Sequence, residues 1–187
     1  MRDARYYRAW MSVRTISRRA LFRSLLQPGK QALLPAPTTQ VWRRQVPRPP
    51  QAVVEPLFLQ RCDGCGECVQ ACAYGIIYLD QQKAQLQVDY ADCNLCADCT
   101  RACSKAALDA TLPMDTGLRP VISSQCLGRL DDGCRLCETA CPASAIFFNQ
   151  HHQPVVKKDQ CTGCGKCKFV CYHGAITLTI KADFYPG

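Results

Sequence analysis

Sixteen cysteines in 187 residues decide what chemistry this chain can do. They fall in four groups. The first is Cys62-x2-Cys65-x2-Cys68-x3-Cys72, the second Cys93-x2-Cys96-x2-Cys99-x3-Cys103, and the fourth Cys161-x2-Cys164-x2-Cys167-x3-Cys171. The third is wider, Cys126-x7-Cys134-x2-Cys137-x3-Cys141, with five extra residues in its first spacing. Cysteines at i, i+3 and i+6 on a curled loop can grip three corners of one iron–sulfur cube. The fourth, on the helix that follows, faces away and reaches a second cube. Four groups therefore imply four [4Fe–4S] clusters with all sixteen cysteines as ligands.

Other cysteine chemistries fit less well. Zinc takes two Cys-x2-Cys pairs across a spacer, or Cys/His mixtures, and does not call for four cysteines within eleven residues. A disulfide framework would not repeat one spacing so regularly. Redox Cys-x2-Cys chemistry uses two cysteines, not sixteen. His151, His152 and His173 fall in turns and are not needed as ligands, since each cluster already has four cysteines. No Ser/His/Asp set, phosphate loop or nucleotide fingerprint is present, so no catalytic residue is expected and one-electron transfer is the expected activity.

The elements that must position the cysteines are short. The groups begin at 62, 93, 126 and 161, a near-regular repeat. Each third-to-fourth cysteine segment, such as Glu67 to Cys72, predicts a helical turn. Apolar runs at Ile76–Leu79, Ala145–Phe148 and Ala175–Leu178 predict strands, with partners at Leu86–Val88 and Val155–Val156. Gly64, Gly163 and Gly165 suit a loop whose backbone must approach sulfur. Tyr74, Ile76, Phe147 and Phe169 are expected to shield the clusters.

Charge is uneven. Residues 1–60 hold 11 Lys/Arg against Asp3 and Glu55, whereas 61–187 hold 12 Lys/Arg and 13 Asp/Glu. A cube with four thiolates carries roughly two negative charges, so four would add about −8 to the cysteine-rich part. The basic N-terminal part then faces an anionic body or an acidic partner. It lacks the interleaved aromatics of a nucleic-acid surface. Pro28, Pro35, Pro37, Pro47, Pro49, Pro50 and Pro56 mark 28–56 as an extended linker. Ser17 is a candidate N-cap for a short helix whose face carries Leu21, Phe22, Leu25 and Leu26, stopped by Pro28 and Gly29. The pair Arg18-Arg19 suggests an export signal. The apolar stretch such a signal requires is broken by Ser24 and by Gln27 to Gln31, so a cytoplasmic location is expected. No apolar run is long enough to span a membrane.

Three features together resemble the NapF-type ferredoxins of periplasmic nitrate reductase systems. These are Ser17-Arg18-Arg19-Ala20-Leu21-Phe22-Arg23, the four cysteine groups without a further domain, and the widened third group ending Cys134-Arg135-Leu136-Cys137-Glu138-Thr139-Ala140-Cys141-Pro142. The resemblance implies a cytoplasmic accessory protein that assists maturation of the molybdenum catalytic subunit before export. Docking through Ser17, Arg18, Arg19, Leu21, Phe22, Arg23 and Leu25 is then expected. An electron-transfer subunit of a membrane-associated respiratory complex and a free polyferredoxin are the alternatives. The expected fold is α+β: an arm and linker over 1–56, then ferredoxin-like modules over 57–112 and 120–182, with Pro113, Gly117 and Pro120 at the seam. Sequential pairing of the groups would place Cys103 on the first cluster, Cys72 on the second, Cys171 on the third and Cys141 on the fourth. Nested pairing, first with fourth and second with third, is the other topology.

Overall fold

Each cysteine group bends into a loop and then one helical turn, because three sulfurs within seven residues leave no room for a longer element. The computed structural model describes residues 44–130 and 133–181, which lie in one unit spanning 41–187. Helix α1 (Glu55–Arg61) comes first, opened by Pro56 and anchored by the buried Phe58. Then come α2 (Glu67–Gln70), β1 (Ile77–Asp80), β2 (Lys83–Leu86) and α3 (Asp98–Arg101). After these follow β3 (Leu118–Ile122), a 3-10 turn over Leu127–Leu130, α4 (Leu136–Thr139), β4 (Ile146–Phe148), β5 (Pro154–Val156), α5 (Lys166–Phe169) and β6 (Ile176–Ile180).

The strands form three antiparallel pairs: β1 with β2, β4 with β5, and β3 with β6. β1 and β2 meet in a two-residue turn, with Asp80 opposite Lys83. Both turn residues, Gln81 and Gln82, have positive φ, as a turn matching the strand twist requires. The pairing of β3 with β6 brackets the third and fourth cysteine groups. A single bridge, Ala52 to Leu108, brackets the first and second in the same way. Helix α2 packs on α3, and α4 packs on α5.

Two expectations change here. The stretch 28–56, read as an extended linker, is packed structure from residue 44 onward. Pro49 and Pro50 are among the most buried side chains, and the Leu86 N–H donates to the Pro47 carbonyl at 3.0 Å. Arg44 and Arg48 both reach Glu55, at 3.1 and 2.6 Å. Arg48 also donates to the Ala84 carbonyl and lies over the Phe58 ring. Proline fixes φ in a packed segment as readily as in a solvated one, so composition could not separate the two. The seam also moves: Pro120 lies inside β3, tolerated because that strand pairs on one side only.

The core is uneven. One cluster joins Ala52, Val53, Phe58, Ile76, Ile77, Ala84, Leu86, Val88, Leu108 and Leu118 with Cys93 and Cys99, and Leu178 and Ile180 pack against it. The other has only Cys137, Ile146, Cys167 and Ile176 as buried members. Of the four expected shielding residues, Ile76 is buried, while Tyr74 and Phe169 are exposed by about half. A surface aromatic can rest its ring on a lysine instead, as Phe169 does against Lys166. Residues 17–25, the expected docking segment, lie outside the described residues.

Candidate iron–sulfur centres

The cysteines gather four by four, each set drawing on two groups. One cavity is lined by Cys62, Cys65, Cys68 and Cys103, together with Phe58, Ala84 and Leu108. A second set follows from mutual influence: Cys93 feels Cys99, Cys72 and Cys96. A third cavity is lined by Cys126, Cys134, Cys137 and Cys171, with Leu136, Tyr172 and His173. A fourth holds Cys141, Cys161, Cys164 and Cys167, with Pro142 and Ile146. In every set three cysteines come from one loop and the fourth from the helix end of the neighbouring group. His151 and His152 lie apart in an exposed turn, and the exposed His173 borders the third cavity.

Backbone geometry explains the loops. At Gly163 φ is +70°, and a Cβ there would meet the Thr116 hydroxyl and come within 2.5 Å of the Leu118 carbonyl. At Gly64 a Cβ would lie 2.8 Å from the Gln82 carbonyl of the hairpin. The second group reaches the same loop shape without glycine: Leu95 and Ala97 stand at φ 60° and 63°. That conformation costs L residues about 1–2 kcal/mol each and persists only where the surroundings impose it. The shape turns backbone N–H groups toward sulfur, Leu95 onto Cys93 and Gly163 onto Cys161. The Ala145 N–H donates to the Cys141 sulfur at 3.3 Å. The widened third group enters its helix differently, with Arg135 in place of a positive-φ residue at φ −131°.

These sulfurs are poorly placed to stay ionised by themselves. Burial, reinforced by neighbouring thiols, pushes Cys68 and Cys137 up to about 11 and Cys167 to about 12. Burial also carries Cys93 to about 11 despite the Leu95 N–H. Thiolates crowded in apolar surroundings need a cationic metal group to compensate them, and its binding expels their protons. The lining fits an iron–sulfur group in shape as well: in three of the sets four sulfurs surround one cavity. Burial raises the Cys99 thiol pKa, opposed by the Thr100 hydroxyl and N–H that face its sulfur.

Fold and site thus define an iron–sulfur protein of the electron-transfer class. Residues 61–107 match the family described as the 4Fe-4S dicluster domain, and residues 131–181 match the LdpA Fe-S cluster-binding domain. An uncharacterized protein of Haemophilus influenzae is 42% identical over 178 residues, covering 95% of this chain and 99% of the relative. The methylamine utilization ferredoxin-type protein MauM of Paracoccus denitrificans is 33% identical, covering 71% of this chain and 70% of its own. The ferredoxin-type protein NapF of Escherichia coli is 30% identical, covering 70% of this chain and 82% of its own. The chain belongs to the ferredoxin-type [4Fe–4S] proteins, related to the Nap and Mau members. The second family match begins at residue 131, inside the widened spacing, and leaves Cys126 outside it. Among the described residues no helix is long and apolar enough to cross a membrane.

Proposed function

We propose that the chain holds four [4Fe–4S] clusters in two tandem modules and acts as a one-electron accessory carrier. The observation that carries this is the gathering of sixteen cysteines into four sets, each completed by the neighbouring group. The ligands would be Cys62, Cys65, Cys68 and Cys103; Cys93, Cys96, Cys99 and Cys72; Cys126, Cys134, Cys137 and Cys171; and Cys161, Cys164, Cys167 and Cys141. When bound, such clusters take up and release single electrons. The protein's share is to hold them in place, direct N–H groups at sulfur and keep water from the buried ligands. Iron and acid-labile sulfide in anaerobically prepared protein should each approach about sixteen per chain. About eight would mean that half of the sites stay empty and would refute the four-cluster reading.

The finer role follows the Nap relatives. On this reading the chain works in the cytoplasm on the molybdenum catalytic subunit of a periplasmic nitrate reductase before its export. The basic segment with Ser17, Arg18, Arg19, Leu21, Phe22, Arg23 and Leu25 is the docking element. Deleting residues 1–27 should abolish capture of that subunit while leaving iron content unchanged. Unchanged capture would reject the segment as the docking element. The MauM likeness favours a second reading, an electron-transfer component of a methylamine-utilization system. Growth on nitrate and on methylamine after gene deletion separates the two.

A further inference from the structure

Groups far apart in sequence touch at one place. The Cys93 N–H donates to the Cys164 carbonyl at 2.8 Å, joining the loops of the second and fourth cysteine groups by a backbone hydrogen bond. Beside it, the Thr116 N–H donates to the Thr162 carbonyl at 3.0 Å, and the Thr116 hydroxyl to the Gly163 carbonyl at 2.8 Å. Thr116 is 1% exposed, so this clasp is sealed from water. Val88 closes the other flank so tightly that a Cβ on Gly165 would lie 3.0 Å from its Cβ. Two ion pairs cross the same line, Lys166 with Asp92 at 3.2 Å and Lys168 with Asp89.

The ligands at the contact itself are sheltered. Cys93, Cys99, Cys164 and Cys167 are buried, as are Cys126 and Cys137 of the third set, whereas Cys65 of the first set and Cys96 of the second are exposed. The apolar core continues across as well, since Leu118, Leu178 and Ile180 of the second half pack into the cluster around Val88 and Cys93.

We infer that the sites stand in the spatial order first, second, fourth, third, and that the loop contact between Cys93 and Cys164 is the crossing between the two halves. The first and third sites are then the ends of the row, the places where a partner exchanges electrons with it. Sequence order would have suggested a crossing from the second site to the third. The inference rests on the four-cluster reading above and adds the arrangement.

Two variants of the full chain, loaded anaerobically and fully reduced, test it by electron paramagnetic resonance. Cys65→Ala with Cys134→Ala vacates the first and third sites and leaves the second and fourth. Its spectrum should be the broadened, fast-relaxing signal of two interacting spins. Cys96→Ala with Cys164→Ala leaves the first and third, and should give two narrow, independent signals. Independent spins in the former, or interacting spins in the latter, would overturn the order. Should either variant fail to hold about eight irons, amide exchange in the unaltered loaded protein decides instead. Cys93 and Thr116 should be among the slowest amides, and loop-like exchange at both would overturn the seam. A wild-type iron count below about sixteen marks failure of the four-cluster reading. A full count with independent second and fourth sites sinks only the order.

Discussion

Positive φ is the constraint each cysteine loop imposes on single residues. Gly163 meets it with no room to spare, since a side chain would strike Thr116 and Leu118. Gly163→Ala should therefore cost about 2–4 kcal/mol, from left-handed strain plus overpacking. Gly174 shares the conformation, at φ +62°, but faces open space. Gly174→Ala should cost only about 1 kcal/mol. Thermal midpoints of the two loaded variants, measured side by side, check the difference. Equal midpoints would mean that the Thr116 clasp yields. Ala97 is the reverse case, an L residue held at φ 63° before α3. Ala97→Gly should raise stability by about 0.5–1 kcal/mol if release of strain outweighs glycine's freedom in the unfolded chain. Glycines in the first and fourth groups announced this loop in the sequence. Leu95 and Ala97 did not, because surrounding structure imposes a conformation their own preferences oppose.

At the scale of elements, the clasp of Arg44 and Arg48 on Glu55 fastens the segment before α1 to the first half. Both arginines are under 10% exposed, and Glu55 is their shared partner. Burial lowers the Arg44 pKa, an effect that Glu55 opposes. Glu55→Ala removes the carboxylate that both buried guanidinium groups share and should cost about 3–5 kcal/mol. Urea unfolding of the loaded protein, followed by fluorescence, measures it. A loss under about 1 kcal/mol would place the pair with ordinary surface ion pairs. The hairpin β4–β5 and the strand β1 were legible as apolar runs beside polar turns, whereas β2 forms at Lys83–Leu86, ahead of the expected Leu86–Val88. The strand β3 and the packed segment 44–54 were not legible. Leu118–Ile122 contains a proline, and the earlier segment was hidden in a proline-rich composition shared by linkers.

Across the whole molecule, the cysteines form much of the core. The smaller cluster, in the second half, has two cysteines among its four buried members, while the first half has a fuller aliphatic cluster. Stripping iron with a chelator and an oxidant should therefore unfold residues 118–180 before residues 44–112. Hydrogen exchange read by mass spectrometry would report faster uptake in the second half as visible absorbance is lost. Simultaneous loss in both halves would show that the seam at Cys93 and Cys164 couples them into one cooperative unit.

Spacing alone determined the chemistry of this chain, because a ligand loop is local. Three sulfurs separated by two residues each can be read without knowing where the chain goes next. Which cysteine completes which set depended on the packing of α2 on α3 and of α4 on α5. How the two halves meet depended on contacts between residues some 70 positions apart, Cys93 with Cys164 and Asp92 with Lys166. Nothing local encodes those contacts. They follow from Leu118, Leu178 and Ile180 burying themselves against the first half's core, a choice made only when the whole chain packs.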